Sequence, residues 1–219
     1  MHRQHFFTES RLAKRFKTTP RKLPQQSRSQ ETVDAILAAT SRLLVTSGYD
    51  TMSTNRIAIA AGVSIGSLYQ YFPSKEAIVA ALVEGHCSAA ALASQATLTE
   101  HVGSTVEVAA RAVVEAMVAA KTLNPRLHRA LREQVPRVGK LNFVDTQHAE
   151  TAAVVTRYLI SRSSELPLED PELTAFIAVK TVDALLQQLD HPVMSSRGEA
   201  KVTEEIVNLL VAYLTRGRS

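Results

Sequence analysis

Residues 61–77 read AGVSIGSLYQYFPSKEA, continuing from the helix-prone NRIAIAA of residues 55–61 with which they share Ala61. Glycine, serine and tyrosine crowd this stretch in a way that an ordinary buried helix does not use. Upstream, Ser53 or Thr54 can cap a helix whose short apolar face is Ile57, Ala58 and Ala61, and Gly62 ends it after barely two turns. Gly-Val-Ser then makes a turn, Ser64 caps a second short helix, and that helix stops near Phe72 because Pro73 follows. Two short helices about a glycine turn form a helix-turn-helix. Gly62 supplies a positive φ, and Val63 and Leu68 lock the helices together. Small Gly66 and Ser67 let the second helix sink into a DNA major groove, leaving Ile65, Ser67, Tyr69, Gln70 and Tyr71 near base edges and phosphates. Phe72 faces back into the core. Lys75, in the first turn of the next helix, is placed to meet a phosphate. Tyr69 and Tyr71 lie about 200° apart around a helix, so they cannot be buried equally.

The flanking sequence supplies the rest of a helical domain. Val33, Ile36, Leu37, Leu43 and Leu44 recur at helical spacing, and Gly48 sits where a left-handed cap belongs, which predicts a helix over about 30–46. A further helix starts at Ser74. Beyond it, capping boxes at Ser104–Glu107 and Ser196–Glu199, and Asn-Pro and Asp-Pro starts at Asn124 and Asp170, mark separate helices. A long helix over about 141–164 lies between them. Nothing alternates like a strand, and no repeat is present. The expected fold is all-α with about nine helices: a three-helix head and a six-helix body.

With 219 residues, 45% of them apolar, the chain can bury a substantial core. Its single cysteine, Cys87, cannot form an internal disulfide, and the sequence reads as having no apolar run of about 18 residues, which points to the cytoplasm rather than a membrane. The net charge of +4 is unevenly spread. Residues 1–30 hold Arg3, Arg11, Lys14, Arg15, Lys17, Arg21, Lys22 and Arg28 against Glu9 alone. The rest of the chain is mildly acidic, so the basicity belongs to a tail. With Pro20 and Pro24 and little apolar periodicity, that tail reads as disordered. It can attract phosphates or simply be solvated.

The stretch from Glu31 to His86 resembles the DNA-binding region of the TetR/AcrR transcriptional regulators. The likeness is carried by Ile36, Ala39, Leu43, Leu44, Gly48, Tyr49, Thr54, Ile57, Ala58, Ala61, Gly62, Val63, Ser64, Leu68, Tyr69, Tyr71, Phe72, Lys75 and Glu76. The resemblance implies a homodimer placing two recognition helices in successive major grooves of a palindromic double-stranded operator. Thr54 and Asn55 would contact phosphate. Ile65, Gly66, Ser67 and Gln70 would lie against bases or the groove wall, Tyr69 and Tyr71 against phosphate or base, and Lys75 against phosphate. Ile65 stands where many relatives carry a polar or basic residue, which turns base reading toward thymine methyls, with Gln70 on adenine. Arg28 would add a phosphate or minor-groove contact.

On this resemblance the domains are a basic tail (1–28), a helix-turn-helix domain (29–74) and a ligand-binding and dimerisation domain (75–219). The wide apolar faces of the last two long helices would form the dimer through Phe176, Ile177, Ala184, Leu185, Val202, Ile206, Leu209 and Tyr213. The implied small-molecule effector would lie among Met117, Phe143, Gln147 and Phe176. No cofactor, metal or membrane is expected. Phosphate-binding loops, nucleophile elbows and zinc-protease motifs are absent, so no enzymatic chemistry is indicated. His86 and Cys87 point about 100° apart and cannot chelate together. The expected role is a repressor released by its ligand, working in the cytoplasm at the nucleoid. An architectural or cell-division DNA-binding protein under a protein partner's control is the alternative.

Overall fold

The computed structural model describes residues 27–166 and 168–216, which form ten helices and, among the described residues, no strand. The tail up to residue 26 lies outside the described residues. The head comprises α1 (Ser27–Ser47), α2 (Thr54–Ala61) and α3 (Ile65–Tyr71). Ser53 caps α2 by accepting the Arg56 N–H at 3.3 Å, which makes Thr54 the first helical residue. Gly62 ends α2 at φ +68°, with its N–H directed at the Ala58 and Ile59 carbonyls. This is the left-handed conformation that a side chain resists. Ser64 then caps α3 through the Ser67 N–H at 3.0 Å, and α3 closes on Phe72.

The head core forms because these two short helices turn their apolar sides onto α1. Ile36, Ile57 and Leu68 are 0% exposed and pack with Phe72, Ala77 and Ile78. Each such large side chain contributes roughly 1.5–3 kcal/mol by leaving water. Ala77 and Ile78 already belong to α4 (Lys75–Glu100), which Ser74 caps through the Ala77 N–H at 3.2 Å. One turn further, Val79, Ala80 and Val83 pack with Leu44 and Met52 of the head. On the other side they meet Leu131 of α6 (Pro125–Gln134) and Val138 beyond it. Head and body therefore share a core.

The body is completed by α5 (Val106–Thr122), α7 (Leu141–Ser161), α8 (Pro171–Leu186), the single turn α9 (Pro192–Ser195) and α10 (Glu199–Leu214). The count is ten instead of nine because Pro192 starts the additional single turn α9, with His191 as its cap. Asn124 and Asp170 cap α6 and α8 as read from the sequence. The two capping boxes are corrected. Thr105, not Ser104, caps α5, and α10 begins after Gly198, which has no side chain to offer, while Ser196 Oγ donates to the Val193 carbonyl. The absence of an apolar run is corrected too. By length and composition α4 could cross a bilayer, with a mean hydropathy of 1.5, although here it packs against α1, α5, α6 and α7.

Polar side chains fix how α5, α7 and α8 meet. Asp183 of α8 accepts from Lys121 of α5 at 3.1 Å and faces His148 Nε2 of α7 at 3.2 Å. His148 Nδ1 lies 2.9 Å from Lys180 Nζ, which donates to Asp145 at 2.7 Å. Burial alone would raise the Asp183 carboxyl, but the His148 hydrogen bond and the Lys121 charge hold it well below the usual carboxylate range. Between α4 and α6, His86 Nε2 and His128 Nδ1 meet at 3.0 Å. Burial, then the charge of Lys121, pushes His128 down to about 4 and lowers His86 as well.

A pH dependence follows from this pair. Below about pH 6.5 the unfolded chain takes a proton on an imidazole that the folded chain leaves neutral until about pH 4, so stability falls as pH falls across that window. For His128 the loss is on the order of 2 kcal/mol after allowance for solvent screening. Thermal melts from pH 7 to pH 4 should show this decline, and His128→Leu should flatten it. An unchanged slope in the variant would assign the decline to other groups.

Candidate nucleic-acid interface and apolar cavity

The turn after Gly62 and the cap at Ser64 set α3 across α2 so that one side is inside and the other outside. Leu68 and Tyr71 point into the head core, while Ile65, Gly66, Tyr69 and Gln70 are exposed. The two tyrosines divide as their spacing requires: Tyr69 is 41% exposed and Tyr71 only 9%. Tyr71 is corrected from a groove-facing residue to a core residue. The Tyr69 hydroxyl pairs with Thr54 Oγ1 at 2.9 Å, joining α3 to the start of α2, where Asn55 is exposed. Ser67 turns its hydroxyl to Ser64 Oγ at 2.8 Å, so it serves the cap before anything outside.

Gly66 has helical backbone angles, and a Cβ there would meet only Ser64 Oγ at 3.8 Å. The fold itself does not require glycine at this position. What glycine provides is a bare backbone on the outer surface, open to close approach by another molecule.

Lys75 does not stand free for a phosphate. It is half-buried, its ammonium donates to the Tyr49 and Met52 carbonyls at 3.1 and 3.2 Å, and it lies 4.3 Å from the centre of the Tyr49 ring. Tyr49 in turn donates to Glu76 at 3.0 Å. Lys75 therefore ties α4 to the loop between α1 and α2, partners that spacing alone does not reveal. Arg28 lies in the first turn of α1, and its side chain is outside the described residues.

An apolar cavity of about 80 Å³ lies among α4, α5, α7, α8 and α10, walled by residues such as Leu98, Val113, Met117, Val155 and Leu210. Only Ser94, Thr151 and Tyr158 bring polar side-chain atoms to it. Of the effector candidates named from the sequence, Met117 alone lines it. Phe143 and Gln147 lie elsewhere on α7, and Phe176 is 50% exposed on α8. Helical periodicity cannot say which residues of α7 turn inward. A second cleft of about 140 Å³ is bordered by Leu186 and Leu189 together with the charged or polar side chains of Lys121, His128, Arg129, Arg132 and Asp190. Its charges are paired within the chain, Arg129 to Asp190 at 2.8 Å and Lys121 to Asp183. The apolar cavity is thus the better container for a guest molecule.

On the outside of the body, Leu173, Phe176, Ile177 and Ala184 of α8 and Leu209 of α10 are exposed, and Leu185 and Tyr213 are partly covered. Val202 and Ile206, expected at a dimer interface, are corrected. They are 8% and 3% exposed and pack on Val114, Val182 and Leu186 inside the chain. Among the described residues no cluster of three metal-binding side chains occurs.

Comparison with known proteins places this geometry. Residues 36–82 match the bacterial regulatory proteins of the tetR family, and residues 105–214 match the tetracyclin repressor-like C-terminal domain. A TetR-family transcriptional regulator from Streptomyces coelicolor is similar at 28% identity, over 88% of this chain and 100% of that one, with a TM-score of 0.60. A Mesorhizobium loti protein assigned to the same class of regulators shares the fold at 18% identity, over 86% and 98% of the two chains, with a TM-score of 0.71. The fatty acid degradation regulator FadR from Bacillus halodurans shares it at 17% identity, over 85% and 96%, with a TM-score of 0.61. No curated protein matches the chain. With both its helix-turn-helix head and its helical body matched by the family's models, the chain belongs to the TetR family of bacterial transcriptional regulators.

Proposed function

We propose that this protein is a homodimeric repressor that holds a palindromic operator and is released from it by a small apolar molecule. The observation that carries this reading is the path of α4. Its first turns lie in the head core through Ala77 and Ile78, and its far end walls the apolar cavity through Ser94 and Leu98. A molecule that fills the cavity presses on the far end of the helix on which the head is mounted. Coupling between two such sites is commonly worth 1–3 kcal/mol, so saturating ligand is expected to weaken operator binding on the order of 5- to 150-fold.

In this reading residues 27–74 form the DNA-binding unit and residues 75–216 the sensing and dimerising unit. Ile65, Gly66 and Gln70 face the groove, Tyr69, Thr54 and Asn55 line its phosphate wall, and the basic tail with Arg28 adds nonspecific attraction to the backbone. The exposed stripe of Leu173, Phe176 and Ile177 on α8, with Leu209 on α10, forms the contact between protomers. Its work at chromosomal DNA places the protein in the cytoplasm.

The decisive experiment sequences genomic fragments retained by the purified protein at near-physiological salt, before and after a panel of apolar metabolites. A few palindromic sites released by one compound are expected. Many dispersed sites insensitive to every compound would replace this reading with an architectural one. Gly66→Ala should leave folding intact or stabilise it by up to about 1 kcal/mol, because alanine is the better helix former. The same change should weaken operator binding by holding the backbone off the groove, as paired thermal melts and binding titrations would show. Phe176→Glu should keep the helical circular dichroism but yield a monomer by sedimentation, with operator affinity lost alongside.

A further inference from the structure

Among the described side chains, the cations of the helix-turn-helix and of the first turn of α4 are occupied within the chain. Arg42 donates to the Ala60 carbonyl at 3.2 Å, Arg56 to the Thr51 carbonyl at 2.8 Å, and Lys75 to the Tyr49 and Met52 carbonyls. The recognition helix, IGSLYQY, contains no charged residue at all. Its Tyr69 and Ser67 hydroxyls are paired with Thr54 and Ser64. What remains on its outer side is the Ile65 side chain, the bare backbone of Gly66, and the Gln70 amide. The Gln70 side chain has no hydrogen-bond partner among the described residues.

These groups select particular bases. Guanine presents two acceptors in the major groove, N7 and O6, and is matched by the paired donors of Arg or Lys, which this helix lacks. Adenine presents an acceptor and a donor, N7 and N6–H₂, which one carboxamide meets with its own donor and acceptor. Thymine is set apart by its C5-methyl, which calls for an apolar side chain. Gly66 lets the helix backbone come close enough for a side chain as short as Ile65 to reach that methyl.

Resting on the reading of this chain as an operator-binding repressor, we infer that α3 reads an A·T core in each half-site, with Gln70 on adenine N6 and N7 and Ile65 against thymine methyls. The contact lies in the major groove and is separate from any minor-groove preference of the basic N-terminal arm.

The test begins with selection of random duplexes by the full-length protein at fixed salt, repeated with Gln70→Ala and Ile65→Ala. Both residues are exposed, and binding to random duplex serves as the control that the variants remain folded. The expected result is A·T pairs at the positions where these substitutions relax the preference. Base analogues then probe the groove in the selected operator. Replacing thymine by deoxyuridine, which removes only the methyl, should weaken binding about fourfold per buried methyl, and Ile65→Ala should abolish that penalty. Replacing adenine by 7-deazaadenine, which removes N7 without altering the minor groove, should weaken binding by roughly tenfold, and Gln70→Ala should abolish that penalty. G·C pairs at the relaxed positions, or analogue penalties that persist unchanged in the variants, would overturn the inference while leaving the regulator intact. No sequence enrichment in any selection would overturn the operator-binding reading itself.

Discussion

One helix belongs to two cores, and the rest of the structure follows from that constraint. Ala77 and Ile78 of α4 complete the packing begun by Ile36, Ile57 and Leu68, and Val79, Ala80 and Val83 join the head to Leu131 and Val138 of the body. Close-packed interiors transmit displacement because they have little free volume in which to absorb it. A head seated on such a helix cannot ignore what happens at the other end, where Ser94 and Leu98 border the apolar cavity. The joint is reinforced from outside. Arg137, just past α6, reaches Asp50 at 3.3 Å and lies near the Tyr49 ring, and Lys140 pairs with Glu84 at 2.5 Å.

Charge is used sparingly inside the body and mostly to fix register. The line from Lys121 through Asp183 and His148 to Lys180 and Asp145 crosses three helices that are otherwise held by apolar stripes. Buried ion pairs add little net stability because desolvation offsets their attraction, yet breaking one leaves a costly unpaired charge. Their effect is to exclude other ways of sliding α5, α7 and α8 past one another. The neutral imidazoles of His86 and His128 have the same effect between α4 and α6.

The parts of this fold that were legible in the sequence are governed by neighbours along the chain. Gly62, Ser64, Ser74, Asn124 and Asp170 each mark a helix end where the structure has one, because a cap bonds to backbone only three or four residues away. The two capping boxes misled for the same local reason. Thr105 competed with Ser104 one residue on, and Gly198 opened a turn that let Ser196 bond backward. The intrachain partners of Lys75, the carbonyls of Tyr49 and Met52, come from a distant loop that no spacing rule reaches.

By itself the sequence determined an all-helical chain, the helix-turn-helix with its outward Ile65, Tyr69 and Gln70, and the family to which these belong, since period, caps and turn chemistry act over a few residues. Only the tertiary structure decided which apolar faces are core and which are surface. Val202 and Ile206 share a stripe with Leu209, yet the first two are buried against α5 and α8 while the third faces out. Met117 opens onto a cavity while Phe143 and Gln147 do not, because the rotation of α7 is set by its packing with α4 and α8. Periodicity shows that a helix has an apolar side. What that side meets is fixed by contacts between residues far apart in the chain.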